Sequence, residues 1–166
     1  MIRIRRAAEA DLGTITAIYN REVETTTNTL DTEPRDERER QAWFESHRAA
    51  AHPLLVAELD GVVAGWASLS PWSQRGGYAR TVEASVFVGQ GHRERGVGRV
   101  LLLALIECAH QARHRVILAR IESTNEGSRR LARSLGFSSV GVMHRVGEKL
   151  GRIVDVEIYE LLLEEP

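Results

Sequence analysis

The sequence predicts an α/β fold of the α+β kind, in which a mixed, mostly antiparallel seven-stranded sheet is flanked by helices. Three observations predict it. Strand-like and helix-like periodicities follow one another in the order β-α-α-β-β-β-α-β-α-β-β. That order pairs strands with strands too often for a doubly wound parallel sheet. The dipeptide Asp60-Gly61 joins two strand patterns as a hairpin turn. At 166 residues with 43% apolar and 27% charged side chains, the chain supports a single domain over 1–166 with an ordinary core.

Each element has a local reason. Ile2 to Arg6 alternates apolar and polar residues and reads as the first strand. Leu12, Ile15, Ile18, Tyr19 and Val23 fall at helical spacing after Asp11. Thr25 to Pro34, rich in threonine and Asp/Asn and closed by proline, reads as a loop. A polar helix follows from about Arg35 to Ala51, with Trp43 and Phe44 as its buried contacts. Leu54–Leu59 and Val62–Leu69 are the hairpin strands, and Pro71–Ala79 is a second loop. Thr81–Val88 is a strong strand, with Val82, Ala84, Val86 and Val88 on one face and Glu83, Ser85 and Phe87 on the other. Val97, Val100, Leu101, Ala104, Leu105 and Cys108 form one helical stripe. Val116–Ile121 is a strand, and Glu126–Leu135 is a short helix closed by Gly136. Val140–Val146 and Ile153–Leu163 read as closing strands across a Gly147–Gly151 turn.

Composition narrows the function. A net charge of −1 supplies no basic field to attract nucleic acid or a membrane surface. Apolar runs are too short to span a bilayer, and the first residues lack the apolar core of a signal peptide. The single Cys108 excludes an internal disulfide and suits a reducing cytoplasm. His92, His110 and His114 share no metal-ligand spacing with Cys108 or a carboxylate pair, so no metal site is expected.

The most informative segment runs from Val86 to Arg99. A strand leads into Arg93-Glu94-Arg95-Gly96-Val97-Gly98-Arg99, where an amphipathic helix begins. Unpaired backbone N–H groups at a helix start, together with the helix dipole, favour an anion there. Gly96 and Gly98 let a diphosphate approach the backbone, and Arg93, Arg95 and Arg99 supply charge. A dinucleotide fingerprint needs a further glycine where Leu101 stands, and the Gly-Lys-Ser/Thr ending of a P-loop is absent. The plain alternative is a glycine-rich turn entering a helix.

This segment resembles the Q/R-x-x-G-x-G/A signature of the GNAT acetyltransferases, which binds the coenzyme A pyrophosphate. The resemblance extends along nearly the whole chain. Tyr19-Asn20, Thr81-Val82-Glu83, Glu122-Ser123-x-Asn125, Leu135-Gly136-Phe137 and the Lys149/Arg152/Asp155 tail resemble the phosphinothricin and methionine sulfoximine N-acetyltransferase branch. It implies a GNAT fold, acetyl-CoA as cosubstrate, a small-molecule amine as acceptor, and a homodimer. It also implies that Val86, Phe87 and Val88 pair with the pantetheine arm, and that Glu94 to Arg99 wrap the pyrophosphate. Asn125 and Ser128 would hydrogen-bond the pantetheine; read alone, they are a turn residue and an early-helix polar residue.

Acetyl transfer needs a neutral amine, and an alkyl ammonium with a pKa of about 10.4 must lose a proton first. Glu83, a carboxylate inside a strand, is the candidate base; the alternative is a carboxylate paired with an arginine. Backbone N–H groups at Val86–Val88 would polarise the thioester carbonyl. Where many relatives carry a tyrosine or histidine to protonate the thiolate, five residues before Phe137, this chain has Ala132. By position in the branch, Arg75, Gly76, Gly77 and Tyr78 would contact the acceptor, with Arg80 pairing its carboxylate or phosphinate. Glu22, Thr25 and Thr27 lie where they would close the pocket, although a helix-end charge and loop threonines explain them equally. Two rivals stay open: another acceptor, such as a protein N-terminus, and a silent acyl-CoA-binding module.

Overall fold

A computed structural model describes residues 1–163; the last three residues of the expected 1–166 domain lie outside the described residues. The strands are β1 (Ile2–Arg6), β2 (Leu54–Leu59), β3 (Val62–Pro71), β4 (Thr81–Val88), β5 (Val116–Glu122), β6 (Ser138–Lys149) and β7 (Arg152–Leu162). The helices are α1 (Leu12–Thr25), α2 (Glu37–Ser46), α3 (Val97–Gln111) and α4 (Glu126–Ser134). The seven strands form one sheet in the order β1-β2-β3-β4-β5-β7-β6. Only the β4–β5 pair is parallel.

Alternation along the strands gives the sheet two different faces. On one, Val82, Ile117, Leu69 and Ala67 pack against Leu101, Leu102 and Leu105 of α3. On the other, α1 and α2 bring Leu12, Ile15, Tyr19, Val23 and Phe44 onto Leu54, Val56 and Trp66. Each fully buried leucine or isoleucine contributes roughly 1.5–3 kcal/mol of transfer free energy.

Two expectations need correction. The polar helix is Glu37–Ser46, not Arg35 to Ala51. Asp36 caps its start: its carboxylate accepts from Glu39 N at 2.8 Å, and Glu39 accepts from Asp36 N at 3.0 Å. At the other end the Ser46 hydroxyl takes the Trp43 carbonyl at 2.6 Å and His47 leaves the helix. Strand β6 is also longer than the expected Val140–Val146, β7 begins and ends one residue before the expected Ile153–Leu163, and the Gly147–Gly151 turn shrinks to Leu150-Gly151, both left-handed at φ 52° and 70°. Periodicity finds only the middle of β6 because its register shifts twice, between Ser139 and Gly141 and between Met143 and Gly147.

The parallel pair positions the site. β4 pairs with β5 only from Thr81 to Glu83, yet β4 runs on to Val88 and β5 to Glu122. Meanwhile β4 stays bonded to β3 as far as the Gly65–Val88 pair. The sheet therefore splits between β4 and β5, and the β5-facing edge of residues 84–88 has no strand partner. The first turn of α3 lies at the mouth of this split.

Candidate active site

Two cavities open from the split. The first, of about 530 Å³, is a cleft between the end of β4, the start of α3 and α4. Val86, Phe87 and Val88 line it along the free edge, and Glu94, Gly96, Val97, Gly98 and Arg99 line its α3 end. Gly96 takes φ +83° as the N-cap of α3 and has no side chain to offer, so the N–H groups of the first helical turn remain available. Gly98 sits where a Cβ would come 3.3 Å from Leu131 and 3.6 Å from Val88, so the cleft is narrow there. Asn125 and Ser128 line the opposite wall. Asn125 caps α4, its Oδ1 accepting from Ser128 N at 3.1 Å, so the turn-residue reading holds for that oxygen. Ala132 lines the same cleft, 3% exposed, and offers no hydroxyl or imidazole.

Two arginines of the motif depart from expectation. Arg95 is exposed and does not line the cleft. Arg93 lines it, but its guanidinium is engaged by the buried Glu22 carboxylate, and its Nε reaches Val88 O at 3.4 Å. It ties the loop to α1 instead of standing free for a phosphate. His92, weighed in the sequence only as a metal ligand, lines the cleft, while its Nδ1 is buried without a hydrogen-bond partner among the described residues.

The second cavity, of about 430 Å³, lies on the α1/α2 face of the sheet. Register builds its floor: Trp66, Ser68 and Ser70 of β3 stand opposite Phe87, Ser85 and Glu83 of β4, and Arg120 and Glu122 continue the same face on β5. The loop from Thr27 to Asp31 forms a wall. Three side chains anchor that loop. Tyr19 OH bonds Asp31 and, at 3.0 Å, Thr29; Asn28 donates to Glu22 at 2.8 Å; Lys149 Nζ donates to Thr29 O at 2.7 Å and Glu22 O at 3.4 Å. Lys149 is 5% exposed, and burial lowers its pKa below the usual lysine value. It is also the chain's single lysine.

Aromatic rings give this cavity a stiff side. Trp66 stacks on Phe87 at 4.9 Å and meets Trp43 at 5.2 Å, while Tyr19 packs edge-on to Phe87 at 5.1 Å. The Arg35 guanidinium lies 4.5 Å from the Tyr19 ring centre and 5.3 Å from that of Trp43, with Asp31 3.6 Å away. His47 supports the wall from behind: Nδ1 contacts Trp43 O at 2.8 Å and Nε2 contacts Ser70 Oγ at 3.0 Å. A carbonyl only accepts, so Nδ1 carries the proton. Burial holds the His47 pKa below the ordinary histidine value.

Glu83 stands where the cavities meet, and lines both together with Ser85, Phe87 and Arg120. Arg120 grips it in a bidentate pair, Nε to Oε1 at 2.7 Å and Nη2 to Oε2 at 2.8 Å. That hydrogen bond raises the Arg120 pKa. The paired reading of Glu83 is thus correct, and it coexists with a junction position. A carboxylate retains further lone pairs beyond two such bonds, so a water can still be held there.

The loop expected to contact the acceptor lies elsewhere. Arg75, Gly76, Gly77 and Tyr78 are exposed and line neither cavity. Arg80 Nε donates to Arg113 O at 2.6 Å instead. These residues follow the end of β3 at Pro71, beyond the Ser70–Glu83 pair that ends the floor. The expected closing residues divide, with Thr27 lining the acceptor-side cavity, Glu22 lining the cleft and Thr25 lining neither. No group of three or more His, Cys, Asp or Glu side chains arranged to hold a metal occurs among the described residues, nor does a helix long and apolar enough to cross a membrane.

Comparison with known proteins places this geometry. Residues 15–137 match the acetyltransferase (GNAT) family. An L-methionine sulfoximine/L-methionine sulfone acetyltransferase from Salmonella typhimurium is 41% identical over 162 residues, 98% of this chain and 95% of that protein. A phosphinothricin N-acetyltransferase from Streptomyces coelicolor is 37% identical over 163 residues, covering 96% of this chain and 95% of the relative. The solved structure of a Salmonella typhimurium acetyltransferase with its cofactor acetyl-CoA superimposes with a TM-score of 0.96 at 40% identity, over 100% of this chain and 96% of that one.

Proposed function

This chain belongs to the acetyltransferase (GNAT) family, and from that premise we propose that it moves an acetyl group from acetyl-CoA to the primary amine of a small amino-acid-like acceptor. One observation carries the reading: two cavities, one edged by free backbone and one by polar side chains, meet at a single carboxylate, Glu83.

The residues of the cleft fit acetyl-CoA. The unpaired edge at Val86–Val88 offers amide groups to the pantetheine arm, and the first turn of α3 offers N–H groups and a dipole to the pyrophosphate. When bound, acetyl-CoA supplies an activated acyl group. Backbone N–H groups at the split are placed to stabilise negative charge growing on the acyl oxygen. Glu83, through a water, takes the proton the ammonium must lose, and the freed lone pair forms the N–C bond as the C–S bond breaks. A thiolate with a pKa near that of cysteine, about 8.5, leaves without a dedicated acid, consistent with Ala132.

The acceptor cavity suits a compact amino acid better than a peptide, because the Thr27–Asp31 loop walls it and three anchors hold that loop. Arg35 is the cation for the acceptor's carboxylate: the rings hold it in place, and its pairing with Asp31 is loose at 3.6 Å. L-Methionine sulfoximine and L-phosphinothricin are the acceptors suggested by the relatives.

A homodimer in the cytoplasm completes the proposal. The edge strand β6, its turn and the start of β7 leave Val140, Val142, Val146, Leu150 and Ile153 exposed, and these side chains suit a second copy. Cys108 is a free cysteine, as a reducing compartment allows. Sedimentation analysis tests the dimer, and cell fractionation the compartment. The function is tested by coenzyme A thiol release with both acceptors and a panel of amines and peptides. Saturable release with either amino acid supports the reading; release only with peptides overturns the acceptor class.

A further inference from the structure

Three carboxylates line the acceptor cavity: Asp31, Glu83 and Glu122. Two have cations, Asp31 facing Arg35 and Glu83 gripped by Arg120. Glu122 has none among the described residues, yet is only 5% exposed. Its donors are neutral: Thr124 N at 3.1 Å on Oε1, and on Oε2 the hydroxyls of Thr124 at 2.5 Å and Thr27 at 3.4 Å. A buried carboxylate without a counter-cation is costly, and proteins rarely keep one unless a ligand supplies the charge. Glu122 follows Arg120 by two positions on the same face of β5, so it lies about 7 Å further along the floor from the Glu83–Arg120 pair.

We propose that Glu122, with the Thr27 and Thr124 hydroxyls beside it, is the dock for the acceptor's ammonium group. The inference rests on the acetyltransferase reading and deepens it. Glu122 holds and orients the charged nitrogen on the cavity floor, and Glu83 at the junction receives its proton. This division explains why the sequence spends two acids on one reaction, and why the acid nearer the cleft is paired with an arginine while the deeper one is not.

Glu122→Gln tests the charge with little change of shape. Both threonine hydroxyls can rotate from donating to accepting, so the amide keeps the hydrogen bonds. The expected result is a rise in KM for L-methionine sulfoximine of roughly 10- to 100-fold, as for a lost charge-assisted hydrogen bond. The kcat should stay within a few-fold, acetyl-CoA affinity should be unchanged, and the Tm of the free protein should be equal or higher, because an unpaired buried charge is gone. Glu122→Asp, which keeps the charge but withdraws it, should fall between. An unchanged KM in Glu122→Gln would overturn the proposal, as would a large loss of kcat at constant KM or a lowered Tm with intact kinetics. A wild-type protein that releases coenzyme A with no amine at all refutes the enzyme reading itself, a result separable from any effect of Glu122.

Discussion

The two cavities that share Glu83 are made of different material. The cleft is built mainly of backbone: an unpaired strand edge, a left-handed Gly96 and the first turn of α3. The acceptor cavity is built of side chains from β3, β4 and β5, from α1, α2 and the loop between them, and from β6 and β7. A backbone site is contiguous in sequence and tolerates wide variation in side chains, provided the glycines remain. A side-chain site is assembled by register across many segments, and each change of residue alters what it recognises. A shared cosubstrate and variable acceptors call for this division.

The largest expected effect breaks the backbone half. Gly98→Trp places a bulky ring where even a Cβ comes within 3.3 Å of Leu131. Acetyl-CoA affinity, measured by calorimetry, should fall at least about 100-fold, equivalent to about 2.7 kcal/mol. Unaltered affinity would remove the cleft assignment. Next is the junction. Glu83→Gln should retain acetyl-CoA affinity and lower kcat by roughly 10²- to 10⁴-fold, the usual range for a lost general base. If instead kcat near neutral pH is unchanged, Glu83 serves only to hold Arg120. The side-chain half is tested by Arg35→Met, which should raise the acceptor KM by about 10-fold or more and leave acetyl-CoA binding alone. A variant that weakened both substrates equally would erase the distinction between the halves.

The same contrast explains what was legible in the sequence. The order of elements and the β2–β3 hairpin follow from periodicity and the Asp60-Gly61 turn, because those signals are local; which pair is parallel does not. The cleft was legible for the same reason: a strand, Gly96-x-Gly98 and a helix lie within a dozen residues. Glu83 was found because a carboxylate inside a strand is conspicuous. Its grip by Arg120 was anticipated only as an unnamed arginine, since no sequence spacing fixes a partner 37 residues away. The floor of the acceptor-side cavity was not legible, because sheet register decides which face and which end of β3 it occupies, and the expected Arg75–Arg80 segment lies outside it. Arg93 was misread in part, since its partner Glu22 lies 71 residues earlier and meets it only in the fold. Lys149 and Glu122 meet the Thr27–Asp31 loop from far along the chain, which nothing in either segment announces.

The smallest predicted effect concerns pH, and it too separates the two halves. His47 supports the acceptor wall through Ser70, whereas the free β4 edge offers backbone amides, with the side chains of His92 and Arg93 nearby. Burial lowers the folded pKa of His47 below the unfolded value of about 6.5, so the folded state favours the neutral ring. Above pH 6.5 both states are neutral and the group contributes no pH dependence. Below it, the unfolded chain takes up the proton first, and stability declines as pH falls toward the folded pKa. The slope from this group is at most about 1.4 kcal/mol per pH unit, the limit for one proton. His47→Gln should flatten the decline in Tm between pH 6.5 and 5. In the wild type the acceptor KM should rise modestly over that range, while acetyl-CoA affinity stays level. A fall in acetyl-CoA affinity that His47→Gln abolished would mean that the wall behind Trp43 also shapes the cleft, and that the two halves are less independent than their construction implies.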